Sequence, residues 1–361
     1  MNRVDTSSTK LTSQTCGTSV QRLNVREIAR RARVSTATVS RAINRIPTVD
    51  QYLARRVWKV VEDLGYYPNT QARALVSGHS RSLGVIVPEL SNPFFAEIVQ
   101  AFENVAVDHG YEILLSSIHE SSCGMELVAR RMIERRVDGV AALTFGMKES
   151  VMKDLLLHGI FLVTIDSESQ IPGVNNIRIE YRDGIRQAVQ HLAALRHERI
   201  AFVAGPEYLT CTQVRTRAFD EAMAEIGLKA SREFVATGDH SAESGMKALR
   251  DLWSMSPRPT AILCSSDITA IGVLAQAYEC GISVPHQLSV VGFDDIQLAQ
   301  FTVPPLTTVR ISQADLAMGA FQVLVSDGRT LTSSENDGHV VKTGLVLRHS
   351  TALRTVSESV E

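Results

Sequence analysis

Two hydrophobic rhythms divide the chain. Between Val25 and Leu64 the apolar positions fall at helical spacing, whereas from Leu83 onward short apolar runs alternate with amphipathic stretches. In the first region Val25, Ile28, Ala29 and Ala32 form one face, with Asn24 as the cap before it and Glu27 completing a capping-box pattern. Val34 and Ser35 interrupt that face, and Ser35 caps a second helix whose inner side carries Val39, Ala42 and Ile43. A third helix is expected from near Thr48, with Gln51 three residues on, burying Val57, Trp58, Val60, Val61 and Leu64 before Gly65 ends it. Three short helices with a tight turn between the first two make a helix-turn-helix unit.

The second rhythm predicts an α/β body. Strands are expected at Leu83–Val87, Ile113–Ser117, Gly139–Leu143 and Phe161–Ile165, with helices at Pro93–His109, Met125–Glu134 and Glu149–His158 between them. A second series repeats the scheme, with strands at Ile200–Ala204, Phe234–Ala236, Ala261–Cys264 and Leu288–Gly292. Its helices fall near Arg182–Leu195, Gln213–Ile226, Glu243–Met255 and Ile268–Cys280. Such alternation implies parallel sheets covered on both faces, and two series imply two lobes. Ligands of open α/β sheets sit beyond the carboxyl ends of the strands, which places a pocket between the lobes.

Composition changes this picture in one respect. The chain of 361 residues carries a formal charge of only −2. Between Arg22 and Arg81, however, twelve Arg and Lys face four Asp and Glu, so a basic head is fused to an acidic body. Charge alone fits either a polyanion-binding head or a solvated basic surface. The segment 1–21 is rich in Ser and Thr without an apolar run, so it reads as a disordered lead-in and not as a signal peptide. No apolar stretch approaches the roughly 18 residues of a membrane span. The five cysteines are scattered without metal-ligand or disulfide spacing, which points to reduced thiols in a cytoplasm. Neither a cofactor nor a metal is expected, and no GxSxG, HExxH, phosphate loop or dinucleotide fingerprint supports an enzyme.

The second helix opens with Thr36, Ala37 and Thr38, short groups suited to a thymine methyl or a single hydrogen bond at a base edge. Arg41 suits a guanine or a phosphate, and Thr38, Ser40 and Asn44 suit phosphate oxygens. A bland three-helix packing module would explain the apolar pattern but not the arginines. The stretch IARRARVSTATVSRAIN, followed by EDLGYYPN and QARAL, resembles the DNA-binding head of the LacI/GalR family of bacterial transcription regulators. NPFF, RVDGV, RTRAF, SDITAIG, VVGFDD and PPLTTVR extend the resemblance through the body, to about residues 23–354. Arg33 stands where the family usually has a turn glycine, and Arg196 likewise replaces a glycine before His197.

Pattern and resemblance together give five expected parts: a disordered extension (1–21) and a flexible tail (355–361) beyond the resemblance, and within it the helix-turn-helix domain (22–68), a hinge helix and linker (69–80) and a two-lobed body like the periplasmic binding proteins (81–354). The resemblance implies DNA contacts from Tyr67, Asn69, Ala72 and Arg73, and a wedge of Leu75 into the minor groove, where an ordinary linker leucine is the alternative. It places effector contacts at Phe94, Asp166, Arg215, Ser266 and Asp294, with His240 at a position that is often aromatic and Ser266 at one that is usually asparagine. By chemistry, a carboxylate, an arginine fork and an aromatic face suit a sugar-like effector, and a purine or carboxylate metabolite as well. Asp267 and Asp295 read as helix caps, and Phe95 as core. The whole is then a homodimeric regulator on a pseudo-palindromic operator, without a leucine heptad in the tail for a tetramer. Two other readings stay open: a body without ligand response, and a sugar-binding transport module, against which the basic head argues.

Overall fold

The computed structural model describes residues 24–44, 46, 48–67, 78–118, 124–144, 146–167, 169–228, 231–326 and 339–354. The chain divides into two compact units, Met1–Ser80 and Arg81–Glu361. The expected extension, the hinge helix at Thr70–Ser77 and the tail lie outside the described residues.

The head comprises α1 (Val25–Ala32), α2 (Thr36–Ile43) and α3 (Gln51–Asp63) around a small core in which Ile28, Val39 and Val57 are fully buried. Asn24 caps α1 by accepting the Glu27 N–H at 3.0 Å. The return bond of a capping box is missing. The Glu27 carboxylate turns instead to Arg30 at 2.6 Å and Arg31 at 2.7 Å, where donor and acceptor are both charged, whereas the backbone N–H of Asn24 would offer an uncharged donor. These bonds pull the Glu27 pKa down to about 2. Helix α3 starts later than the Thr48 expected, because the Asp50 carboxylate accepts the N–H groups of both Tyr52 and Leu53.

The turn between α1 and α2 is left-handed at Arg33, with φ 49 and ψ 49, so the arginine adopts the conformation a glycine would take there. Arg56 reaches across from α3 and donates to the carbonyls of Ala32 and Arg33, the latter at 3.2 Å. The turn is thereby tied to the third helix.

In the body, β1 (Ser82–Val87), β2 (Glu112–Ser117), β3 (Gly139–Ala142), β4 (Phe161–Ile165) and β5 (Val174–Glu180) form a parallel sheet in the order 2-1-3-4-5. The second lobe repeats it with β6 (Ile200–Ala204), β7 (Val235–Thr237), β8 (Ala261–Cys264), β9 (Ser289–Asp294) and β10 (Thr307–Ile311), in the order 7-6-8-9-10. The covering helices are α4 (Pro93–Asp108), α5 (Gly124–Arg135), α6 (Glu149–Leu157), α7 (Tyr181–Ala194), α8 (Thr210–Glu225), α9 (Ala242–Trp253), α10 (Asp267–Glu279) and α11 (Gln313–Val325).

Three crossings join the lobes. After β5 the chain enters α7, which packs on α8, β10 and β11 (Val340–Val346) of the second lobe. After β10 it returns as α11, which packs on α4, β3 and β4 of the first. Finally β11 belongs to both lobes: Val340–Lys342 pair parallel with β5, and Thr343–Val346 antiparallel with β10. Helix α7 seats directly on this seam at Gly184, where an added Cβ would stand 2.4 Å from Val309 and 2.5 Å from the Thr343 hydroxyl. No helix among the described residues is long and apolar enough to cross a membrane.

Candidate functional site

Two surfaces carry polar chemistry. On the head, Thr36, Ala37, Ser40 and Arg41 are exposed on α2, while Thr38 and Asn44 are half-buried. Ser35 accepts the Thr38 N–H at 3.0 Å and its hydroxyl meets the Thr38 hydroxyl at 2.9 Å, so Thr38 fixes the start of the helix as well as facing outward. Arg41 makes no side-chain hydrogen bond to the described residues, so its guanidinium is available to a partner. Tyr67 is 91% exposed at the end of the described head. Asn69, Ala72, Arg73 and Leu75 lie outside the described residues.

In the body a cavity of about 940 Å³ opens at the carboxyl ends of the strands. Asn92, Phe95, Ser117 and Thr144 line it from the first lobe, and Pro206, Leu209 and His240 from the second. Phe95, read as core, is buried in the main hydrophobic core and also lines the cavity. Its neighbour Phe94 is buried, with the two rings edge to face at 5.4 Å, because α4 turns Phe94 inward.

A buried polar cluster lies in the same body. Asp166 follows β4 at φ 46; it accepts the Ile179 N–H at 2.8 Å and the Tyr181 hydroxyl. Arg215 on α8 is 5% exposed, lies 4.7 Å from the Tyr181 ring and 4.4 Å from the Phe293 ring, and donates to the Ser265 carbonyl at 2.5 Å. Sandwiched between two aromatic faces, its charge is partly satisfied by their quadrupoles. Burial pushes the Asp294 carboxyl up to about 7, against the opposing pull of Arg215. Burial also raises the Asp166 pKa, with the Tyr181 hydrogen bond acting the other way.

The structure thus brings Asp166, Arg215 and Asp294 together and puts His240 on the cavity wall. Ser266 is placed differently: it caps α10, its hydroxyl accepting the Thr269 N–H at 3.2 Å and meeting the Thr269 hydroxyl at 2.9 Å. Asp267, expected to cap, is instead the first residue of that helix and fully buried, accepting from Thr308 at 2.5 Å and from the Ile296 N–H at 2.8 Å. Asp295, the other expected cap, is clamped by Arg310 and Arg348, each at 2.6 Å. His240 sits at φ 66, and burial together with the Arg215 charge holds its pKa down to about 4, so the ring is neutral near pH 7. Sequence reasoning missed Tyr181, Phe293, Ser265 and Thr212. All four are small or apolar-looking positions whose roles come from what they face.

Comparison with known proteins agrees with both units. Residues 24–69 match the family described as bacterial regulatory proteins, lacI family, and residues 189–351 match a periplasmic binding protein-like domain. The chain is 32% identical over 304 residues to the HTH-type transcriptional repressor CytR of Escherichia coli (strain K12), covering 83% of this chain and 88% of that protein. It is 32% identical over 306 residues to catabolite control protein A of Priestia megaterium, covering 84% and 91%. Among solved structures, the lac repressor dimer bound to operator and the anti-inducer ONPF superposes with a TM-score of 0.79 at 26% identity, covering 91% of this chain and 99% of that one. A complex of the transcriptional regulator CelR with cellobiose gives a TM-score of 0.67 at 26% identity, covering 91% and 100%.

Proposed function

The chain belongs to the lacI family of bacterial regulatory proteins, and from that premise we propose that it is a cytoplasmic repressor binding a palindromic operator as a homodimer, under control of a small molecule held in the body cleft. The observation that carries the DNA reading is the exposed face of α2, which presents Thr36 and Ala37 in its first turn and an unengaged Arg41 in its last. Thr38, Ser40 and Asn44 flank them as phosphate contacts that set register. Tyr67, Asn69, Ala72 and Arg73 continue the DNA surface, and Leu75 wedges into the minor groove. Two such heads on a two-fold protein match a two-fold operator, as in the lac repressor dimer bound to its operator.

The effector reading rests on Asp166, Arg215 and Asp294 meeting beside a cavity walled by Phe95 and His240. The likeness to a regulator bound to cellobiose favours a sugar or sugar derivative. The effector acts by its difference in affinity between DNA-competent and incompetent states, and no catalytic step is assigned.

Footprinting tests the DNA half: a protected two-fold site whose affinity falls steeply with salt is expected, and flat salt dependence or an asymmetric site would sink it. Replacing Leu75 by Ala should weaken specific binding more than non-specific binding. A second reading, a body without ligand response, draws on the commitment of the Ser266 hydroxyl to its own helix. Melting across a panel of sugars, sugar acids and nucleobases separates the two, since no shift with any compound would favour the second.

A further inference from the structure

One ring on the cavity wall lies close to two buried polar atoms. His240 lines the cavity, yet its imidazole presses so closely on Gly205 that a Cβ there would stand 2.1 Å from Nε2 and 2.2 Å from Cε1. The same Cβ would stand 2.8 Å from the Thr212 hydroxyl oxygen, so ring and hydroxyl crowd one face of the glycine. Nδ1 lies 3.3 Å from the Ser265 hydroxyl, whose residue also accepts from Arg215 through its carbonyl. Thr212 Oγ1 and Arg215 Nε are both buried and without a hydrogen-bond partner. The Cys211 thiol lies beside the Thr212 hydroxyl, but a thiol is a weak partner. Unpaired buried polar groups are costly, and their usual explanation is a function that pairs them.

We infer that His240 is a removable plug: its imidazole closes a polar subsite floored by Gly205, Thr212 Oγ1 and Arg215 Nε, and the ligand of the cleft enters by displacing the ring and offering those two groups an acceptor oxygen. An arginine Nε–H donates and never accepts, so the entering group must present an acceptor atom, such as a hydroxyl, carbonyl or carboxylate oxygen. The ring is neutral near pH 7, so its departure moves no charge. The backbone at residue 240 is left-handed, a conformation costly for a non-glycine residue. This inference rests on the proposed small-molecule cleft. It adds that the unliganded site is self-filled.

The full-length protein, His240→Ala and Thr212→Val are compared by calorimetric titration with glucose, cellobiose and adenosine, and by crystallography without ligand. A probe that binds the wild type should bind His240→Ala at least about fivefold tighter, because a closed state no longer has to be opened. It should bind Thr212→Val more weakly, while that variant melts no lower than wild type, having lost an unpaired hydroxyl. Without ligand, His240→Ala should hold ordered water at Thr212 Oγ1 and Arg215 Nε, and the wild type should be dry there. Weaker binding by His240→Ala would make the ring a ligand contact and overturn the plug. So would water beneath the ring in the wild type, or a dry, collapsed subsite in the alanine variant. If all three probes fail on every variant while the alanine subsite is wet, the plug stands and the sugar-type effector reading falls.

Discussion

Three arginines occupy left-handed helix ends: Arg33, Arg136 and Arg196 have φ of 49, 53 and 64. An L-residue there costs about 1–2 kcal/mol, and glycine returns part of that gain as unfolded-chain entropy. Arg196→Gly should therefore stabilise the body by about 0.5–1 kcal/mol, measured by denaturant unfolding; a destabilised variant would show that the arginine side chain contributes more than its backbone costs. Two of the three were visible in the sequence as departures from glycine. Arg136 was not, because nothing in its neighbours marks the turn. A second residue-scale consequence concerns Asp294. Its carboxyl is raised from 3.8 to about 7, so its contribution to stability is fully present below about pH 4 and is lost as pH rises through 7. His240 acts in the opposite sense, its lowered pKa removing stability as pH falls from about 6.5 toward 4. Asp294→Asn cannot ionise, so its stability relative to wild type should climb between pH 5 and pH 8. A gap that stays constant over that range would refute the buried, proton-holding carboxyl.

Among the elements, α1 shows a charge arrangement that the bare count of arginines concealed. Glu27 holds both Arg30 and Arg31, so one of the three positive charges on this helix is neutralised within it and two guanidinium groups are tethered. Glu27→Gln should release both guanidinium groups to phosphate and steepen the salt dependence of operator binding by up to about two counterions, with little change in which sequence is preferred. Gel-shift titrations at several salt concentrations decide it, and an unchanged slope would mean the arginines lie away from DNA. The head helices were legible because their apolar positions keep a clean 3.6-residue period. The start of α3 was not, since Asp50 outcompetes Thr48 as a cap only through bonds to Tyr52 and Leu53. In the body the first lobe through β4 and the second through β9 followed the alternation. Strands β5, β10 and β11 and helix α11 did not. VNNIRIE and VVKTGLV interrupt their apolar residues with Asn, Arg, Lys and Gly, because each strand is only partly covered where it passes between lobes. The candidate site shows the same limit: Asp166, Arg215 and Asp294 carry recognisable chemistry, while Phe94, expected in the cleft, is buried and its core neighbour Phe95 reaches the cavity, because only the rotation of α4 decides which ring does so.

At the scale of the whole body, the crossings fix the lobes at one end, and a side-chain contact joins them elsewhere. Glu97 on α4 of the first lobe accepts the N–H of Gln297 in the second at 2.8 Å. Burial raises the Glu97 pKa, and the nearby Asp295 charge adds to it. The Glu97 charge in turn raises Asp294, so this contact joins lobe position to the ionisation of the cleft. A raised carboxylate pKa in the joined state means that the join is favoured as pH falls and weakened as pH rises. Glu97→Ala removes the acceptor of the Gln297 N–H, worth about 1 kcal/mol, but also removes a negative charge facing Asp294 and Asp295. The loss of stability should therefore be largest near pH 5, where the hydrogen bond dominates, and smaller near pH 8, where relief of repulsion offsets it. Denaturant unfolding of wild type and Glu97→Ala at the two pH values measures the difference. Equal losses would mean that Glu97 is only a hydrogen-bond acceptor, and that the lobes meet without sensing the charge of the cleft.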